Sequence, residues 1–176
     1  MKDNKMYDLF KDVKITDESF LVVIEISKGS KNKYEYDRST GLLHLDRILY
    51  TSTHYPQNYG FIPLTWADDG DPLDVLVLCS EQILPLSTVQ CRPIGIIKMI
   101  DGGKKDYKVI AVPENDPFYN DFTDVSQIPM HMIEEIKHFF KVYKSLEGKE
   151  TTIKDLYGKE EAKEVIRSCI ACFNKD

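Results

Sequence analysis

Basic residues are outnumbered in this chain, long apolar runs are missing and cysteines are few. Lysine and arginine total 23 against 29 aspartates and glutamates, a formal net charge of −6. That balance argues against non-specific attraction to nucleic acid or to an anionic membrane surface. No apolar run approaches the roughly 18–20 residues of a membrane span. The opening residues, "MKDNKMYDLFKD", lack the apolar core of a secretory signal, so a cytoplasmic protein is expected. Its four cysteines (Cys79, Cys91, Cys169 and Cys172) have no disulfide-framework spacing and read as reduced thiols. A thioredoxin-like reading of "CIAC", residues 169–172, would need a helix N-terminus after a strand, whereas this stretch falls late in an amphipathic pattern. Cys169 is therefore expected in the core, and Cys172 in packing or at an interface. His54, His131 and His138 have no metal-ligand spacing with other soft ligands and read as structural. There is no repeat, low-complexity tract or linker, so residues 1–176 are taken as a single domain.

What is present divides by periodicity. With 176 residues, 42% of them apolar, the chain is long enough to bury a real core. Residues 20–112 carry strand signals. In "FLVVIEI", Phe20, Val22, Ile24 and Ile26 share one face, and Leu21, Val23 and Glu25 the other. "KYEYDRSTGLLHLDRIL" reads as a hairpin turning at Ser39-Thr40-Gly41. "LDVLVLC", "TVQCRPIGIIKMI" and "YKVIAV" supply further strands rich in β-branched residues. From about residue 126 the spacing becomes 3–4, first over Ile128, Met132, Ile136, Phe139, Phe140 and Tyr143. It continues over Ala162, Val165, Ile166, Cys169 and Phe173. Strands followed by two helices predict an α+β protein, mainly β, with a closed barrel as its β part.

Against this background "DDGDPLDVLVL", residues 68–78, stands out. It crowds four aspartates directly against a buried strand. Like charges at this spacing repel, and desolvation raises the cost, so something positive must lie among them. Gly70 allows a sharp backbone path and Pro72 fixes the next bend, which lets Asp69, Asp71 and Asp74 face one space. Hard divalent cations want such oxygen ligands. A calcium loop of the EF-hand kind would need a longer loop between helices, and this segment feeds a strand.

Other charged positions have plainer readings when taken singly. Glu25 could sit at an exposed strand edge. Lys33, Glu35 and Asp37 could form the solvated face of a hairpin. Asp101 and Asp106 flank a Gly-Gly turn, with Lys108 two residues on, and could belong to an ordinary polar turn. Yet Lys33, Arg47, Lys108 and Lys144, with Tyr55, Tyr59 and Tyr143 close by, are the groups phosphate recognition asks for.

In order and spacing, "VVIEI", "KYEYD", "LDR", "HYPQNYGFIP", "DGDPLDVLVL", "CRPIGIIKMID", "DYK" and "HFFKVYK" resemble the family I soluble inorganic pyrophosphatases, in their shorter, prokaryotic-type form. The resemblance spans roughly residues 18 to 149, and the final helix is in keeping with it. It implies a small five-stranded OB-like closed barrel with two C-terminal helices packed outside. It implies Mg²⁺-dependent hydrolysis of pyrophosphate to two orthophosphates, with several metal ions per site and Mn²⁺ as a possible substitute. Asp69, Asp74 and Asp106 would hold a first metal, Asp101 and Asp106 another, with Glu25 and Glu35 acting through bound waters or at the rim. Asp71 would orient and deprotonate the attacking water. Lys33, Arg47, Tyr55, Tyr143 and Lys144 would grip the phosphoryl groups, with Tyr59 and Lys108 beside the reacting water. The family's shorter members also imply a homohexamer. Two positions depart from the common pattern, Ser27 where proline is frequent and Glu150 where tryptophan is, and both bear on local loops.

Charge arithmetic agrees. Seven candidate carboxylates (Glu25, Glu35, Asp69, Asp71, Asp74, Asp101 and Asp106) outweigh Lys33, Arg47, Lys108 and Lys144 by three charges. Pyrophosphate, itself at about −3 to −4 near neutral pH, would be repelled without divalent cations. A barrel module binding single-stranded nucleic acid through its tyrosines is the rival from another class, but it needs a basic groove. A metal-binding protein without turnover is the second rival.

Overall fold

A computed structural model of the chain describes residues 5–174. The barrel arises from five strands that close on themselves. β1 (Phe20–Ile26) pairs antiparallel with β4 (Asn58–Phe61), which pairs with β5 (Asp74–Val77). β5 runs parallel to β8 (Lys108–Pro113), which pairs with β6 (Thr88–Asp101). The first half of β6 then returns to β1, from Phe20 opposite Cys91 to Val23 opposite Thr88. Closure removes the free edges that an open sheet would expose.

Both faces of these strands are buried, which explains why "DVLVL" reads as a continuous apolar run. Val75 and Val77 join a cluster with Phe20, Val22, Ile24, Ile96, Val109 and Ala111. Leu76 and Leu78 face the other way, onto Ile94, Ile97, Ile110 and Val112. The first cluster is completed by Ala162, Ile166 and Cys169 of α3 (Lys159–Phe173), the second by Ile133, Ile136, Phe139 and Phe140 of α2 (Met130–Val142). Gly60 marks the tightest strand contact. A Cβ there would lie 1.9 Å from the Val23 carbonyl oxygen, so no other residue fits between β1 and β4.

A separate two-stranded sheet, β2 (Asn32–Asp37) with β3 (Leu42–Ile48), is the expected hairpin turning through Gly41. The two helices form as the periodicity predicts, although α2 begins only at Met130, after a 3-10 turn at Val125–Gln127, with Pro129 as its N-cap keeping Ile128 extended. They are not consecutive. Between them runs β9 (Thr151–Gly158), paired along the second half of β6 from Gly95 to Asp101. A short helix, α1 (Lys5–Phe10), and the two-residue β7 (Lys104–Lys105) complete the elements. Ser27, one of the two departures, donates its hydroxyl to the Ile83 carbonyl at 2.6 Å, a bond proline could not make. Cys169 is buried and Cys172 exposed, and all four cysteines are free thiols.

Candidate active site

The charged positions gather at one end of the barrel because strand register puts them there. Asp74 opens β5 and Lys108 opens β8, and the two are direct partners across the parallel ladder. The Lys108 ammonium lies 2.5 Å from both Asp74 Oδ2 and Asp106 Oδ1, with its side chain only 3% exposed. Burial disfavours the Lys108 cation, but Asp74 and Asp106 outweigh it and hold its pKa above the ordinary lysine value. Asp101 closes β6 and bonds to Lys144, two residues beyond the end of α2. The Gly102-Gly103 turn, both glycines at positive φ, brings Asp106 back beside it, and the Asp106 N–H is anchored on Met99 O at 2.9 Å.

The aspartate loop is pinned at its neck by a buried threonine. Thr65 donates its hydroxyl to Ile62 O at 2.6 Å and accepts the Leu73 N–H at 2.9 Å, while Ile62 N–H reaches Leu73 O. At its tip Gly70 adopts φ +89, which only glycine takes without strain. The Asp71 N–H then donates to Asp69 Oδ1 at 3.1 Å. Burial and the neighbouring charges of Asp74, Asp71 and Asp106 raise the pKa of Asp69. Burial likewise raises Asp106, with Asp74 adding to it against the pull of Lys108.

Glu25 reaches the same cavity through an irregularity. The β1–β4 register slips between Ile24 and Ile26, and such bulges re-aim a side chain. Its carboxylate accepts the Tyr36 N–H at 2.6 Å, tying the hairpin to the barrel. Burial, more than the Tyr36 N–H offsets, pushes its pKa up from 4.5 to about 8, with Asp74 and Glu35 adding repulsion. Between pH 4.5 and 8 the folded, metal-free protein therefore binds more protons than the unfolded chain, and its stability falls as pH rises. Glu25→Gln should remove this dependence. In chelator, the variant should melt progressively higher than the unaltered protein as pH rises from 5 to 8.5, by an amount equivalent to about 4 kcal/mol at the top. An equal gap at both pH values would refute the assignment.

The cavity formed in this way measures about 660 Å³, and thirteen of the fourteen candidate residues line it. Arg47 does not. Its guanidinium pairs with Asp46 and, through Nε at 2.9 Å, with the buried Glu147. Sequence reasoning also passed over two cavity-lining cations, Arg38 in the hairpin turn and Lys104 at the start of the two-residue β7, places where charge is ordinarily solvated. Tyr55, Tyr59 and Tyr143 are 2%, 8% and 4% exposed. Burial raises all three pKa values well above the ordinary phenol, so they serve as hydroxyl donors and not as bases.

This donor set, all carboxylate oxygen with no histidine or cysteine among the lining residues, fits hard divalent cations. The raised pKa values of Glu25, Asp69 and Asp106 express an unmet demand for positive charge. Among the described residues no group of three or more is already drawn together at ligating distances; the lysines hold the carboxylates instead. Fold and site together define a class, a barrel hydrolase for a phosphoryl substrate.

Comparison with known proteins narrows the class. The sequence model of the inorganic pyrophosphatase family matches residues 22–174. Soluble inorganic pyrophosphatase 2 of Chlamydomonas reinhardtii is 51% identical over 153 residues, covering 87% of this chain and 80% of that protein. Soluble inorganic pyrophosphatase 3 of Arabidopsis thaliana is 52% identical over 148 residues, covering 84% and 68%. Among solved structures, the inorganic pyrophosphatase of Helicobacter pylori superposes with a TM-score of 0.90 at 40% identity, covering 93% of this chain and 98% of that one. That of Thermus thermophilus gives 0.87 at 41%, covering 89% and 92%. The chain belongs to the inorganic pyrophosphatase family, with its OB-like barrel, and is an inorganic diphosphatase. The family implies a divalent metal cofactor.

Proposed function

We propose that the cavity hydrolyses inorganic pyrophosphate to two orthophosphates with Mg²⁺ as cofactor. The observation that carries this reading is the convergence, on one barrel mouth, of six acidic side chains suited to hard cations with lysines and tyrosines suited to phosphate. Asp69, Asp74, Asp101 and Asp106 would hold the metal, with Glu25 and Glu35 at the edge of the set. Bound Mg²⁺ would lower the pKa of water and neutralise charge on the phosphoryl oxygens.

The side chains divide the remaining work. Lys33 and Lys144 are now held by Glu35 and Asp101, and would turn to phosphoryl oxygens as those carboxylates take up cations. Arg47, outside the cavity lining and paired with Asp46 and Glu147, would have to turn away from Glu147 to add a forked contact to a phosphoryl group. Tyr55 and Tyr143 would donate hydrogen bonds to the substrate, and Tyr59 and Lys108 would orient the reacting water. Asp71, 65% exposed on its turn, would take the proton of that water. Positioning and electrostatics supply most of the rate in such phosphoryl transfers.

Burial of the tyrosines speaks against base stacking, which needs an open ring face. No described helix is long and apolar enough to cross a membrane. We read the whole chain as one domain working in the cytoplasm as a homohexamer. The deciding assay measures phosphate release from pyrophosphate with Mg²⁺, then with chelator. The expected result is turnover that chelator abolishes and Mg²⁺ restores. Metal binding without phosphate release would overturn the enzymatic reading.

A further inference from the structure

Arg38 follows the last residue of β2, and its guanidinium crosses from the hairpin to the aspartate loop. Nη2 donates to Asp71 Oδ1 at 3.0 Å. The same guanidinium lies over the ring of Trp66, 4.8 Å from its centroid. Trp66 is in turn fixed to α3, its backbone N–H donating to Cys169 O at 3.0 Å and its ring meeting Phe173 edge-on at 5.9 Å. A chain of contacts therefore runs from α3 through Trp66 and Arg38 to the carboxylate of Asp71.

The ion pair is too exposed to matter for folding, with side chains 36% and 65% accessible. Orientation is a different matter. The Asp71 backbone is held inside its own loop, since Ala67 N–H donates to Asp71 O at 2.8 Å and Asp71 N–H to Asp69 Oδ1. Those bonds leave the side-chain torsions unset. A planar, stacked guanidinium has few rotamers to lose and presents a directed donor, which an ammonium at the same place would not.

We propose that Arg38, braced on Trp66, is a positioning residue that sets the direction of the Asp71 carboxylate towards the reacting water. This role rests on the pyrophosphatase reading of the site. It acts through Asp71 alone, so its loss costs nothing once Asp71 can no longer take a proton.

A double-mutant cycle tests it, with Mg²⁺ titrations and the emission of Trp66, the chain's single tryptophan, as independent readouts. Arg38→Ala should lower kcat about tenfold, with KM and Mg²⁺ affinity within about twofold of the unaltered protein. Arg38→Lys should recover little, because it keeps charge but not the stacked fork. In an Asp71→Asn background, Arg38→Ala should change kcat by less than about twofold. Equal losses in both backgrounds, or a loss confined to KM, would overturn the role. In metal-free protein, Asp71→Ala should shift Trp66 emission by releasing the cation over its ring, and unchanged emission would overturn the contact itself. An unaltered protein that hydrolyses no pyrophosphate would overturn the functional reading and the role of Arg38 together. Activity with equal Arg38 effects would overturn the role alone.

Discussion

Asp74→Ala should leave a folded barrel that no longer hydrolyses pyrophosphate at millimolar Mg²⁺. The charge of Asp74 reaches more of the site than any neighbour on its loop does. It acts on Glu25, Asp69, Asp106, Lys108, Tyr55, Tyr59 and Tyr143. It also meets Lys108 at the start of two paired strands, where side chains are placed by backbone register and have little freedom to be replaced by a neighbour. Loss of one preorganised electrostatic group costs about 10²–10³-fold, and a metal-holding carboxylate should cost at least that. The fold should persist because Lys108 keeps Asp106, so no buried cation is left unpaired. Removing one of several repelling carboxylates could even raise the melting temperature of the metal-free variant. Phosphate release and a chelator melt check both halves, and near-normal turnover in the variant would sink the assignment.

Asp71→Asn should separate proton transfer from metal holding. Asparagine retains the size of the side chain and an oxygen for the Arg38 guanidinium, but it cannot accept the proton. General-base assistance is worth about 10²–10⁴-fold, so kcat should fall by that order while Mg²⁺ and pyrophosphate still bind. The pH optimum should move upward, since the attacking water must then lose its proton to solution and not to a side chain beside it. The geometry favours this division of labour. Asp71 stands 65% exposed on the turn beyond Gly70, whereas Asp74 and Asp106 are 25% and 13% exposed against Lys108. Weakened Mg²⁺ binding with saturated kcat intact would make Asp71 a ligand instead.

How far the site was legible depended on the kind of signal each residue carried. The "DDGDPLD" cluster was conspicuous because burying so many carboxylates beside Leu73 and Val75 makes no sense without a cation. Lys33 and Glu35 lacked that tension on a half-exposed hairpin and needed the family resemblance. Arg38 was invisible for the same reason. A cation after a strand is ordinarily solvated, and nothing local announces that Trp66 and Asp71 will meet it. Strand β9 was overlooked although "TTI" has β-branched character, because its surroundings are charged and flanked by two helical patterns.

By itself the sequence determined the change from period-two strands to helices, the hairpin, the buried runs of β5 and β8, and the acidic loop with its bend. These are local matters, set by side-chain alternation, by the conformations glycine and proline allow, and by the cost of desolvating charge. Only the tertiary structure decided which end of which strand meets which. The parallel register that sets Asp74 on Lys108, the bulge that turns Glu25 inward, the use of β9 to flank β6 and the withdrawal of Arg47 onto Glu147 are all examples. Each depends on contacts between residues far apart in the chain. Their energies come from closing the barrel and filling its two clusters, and no short stretch of sequence contains both partners.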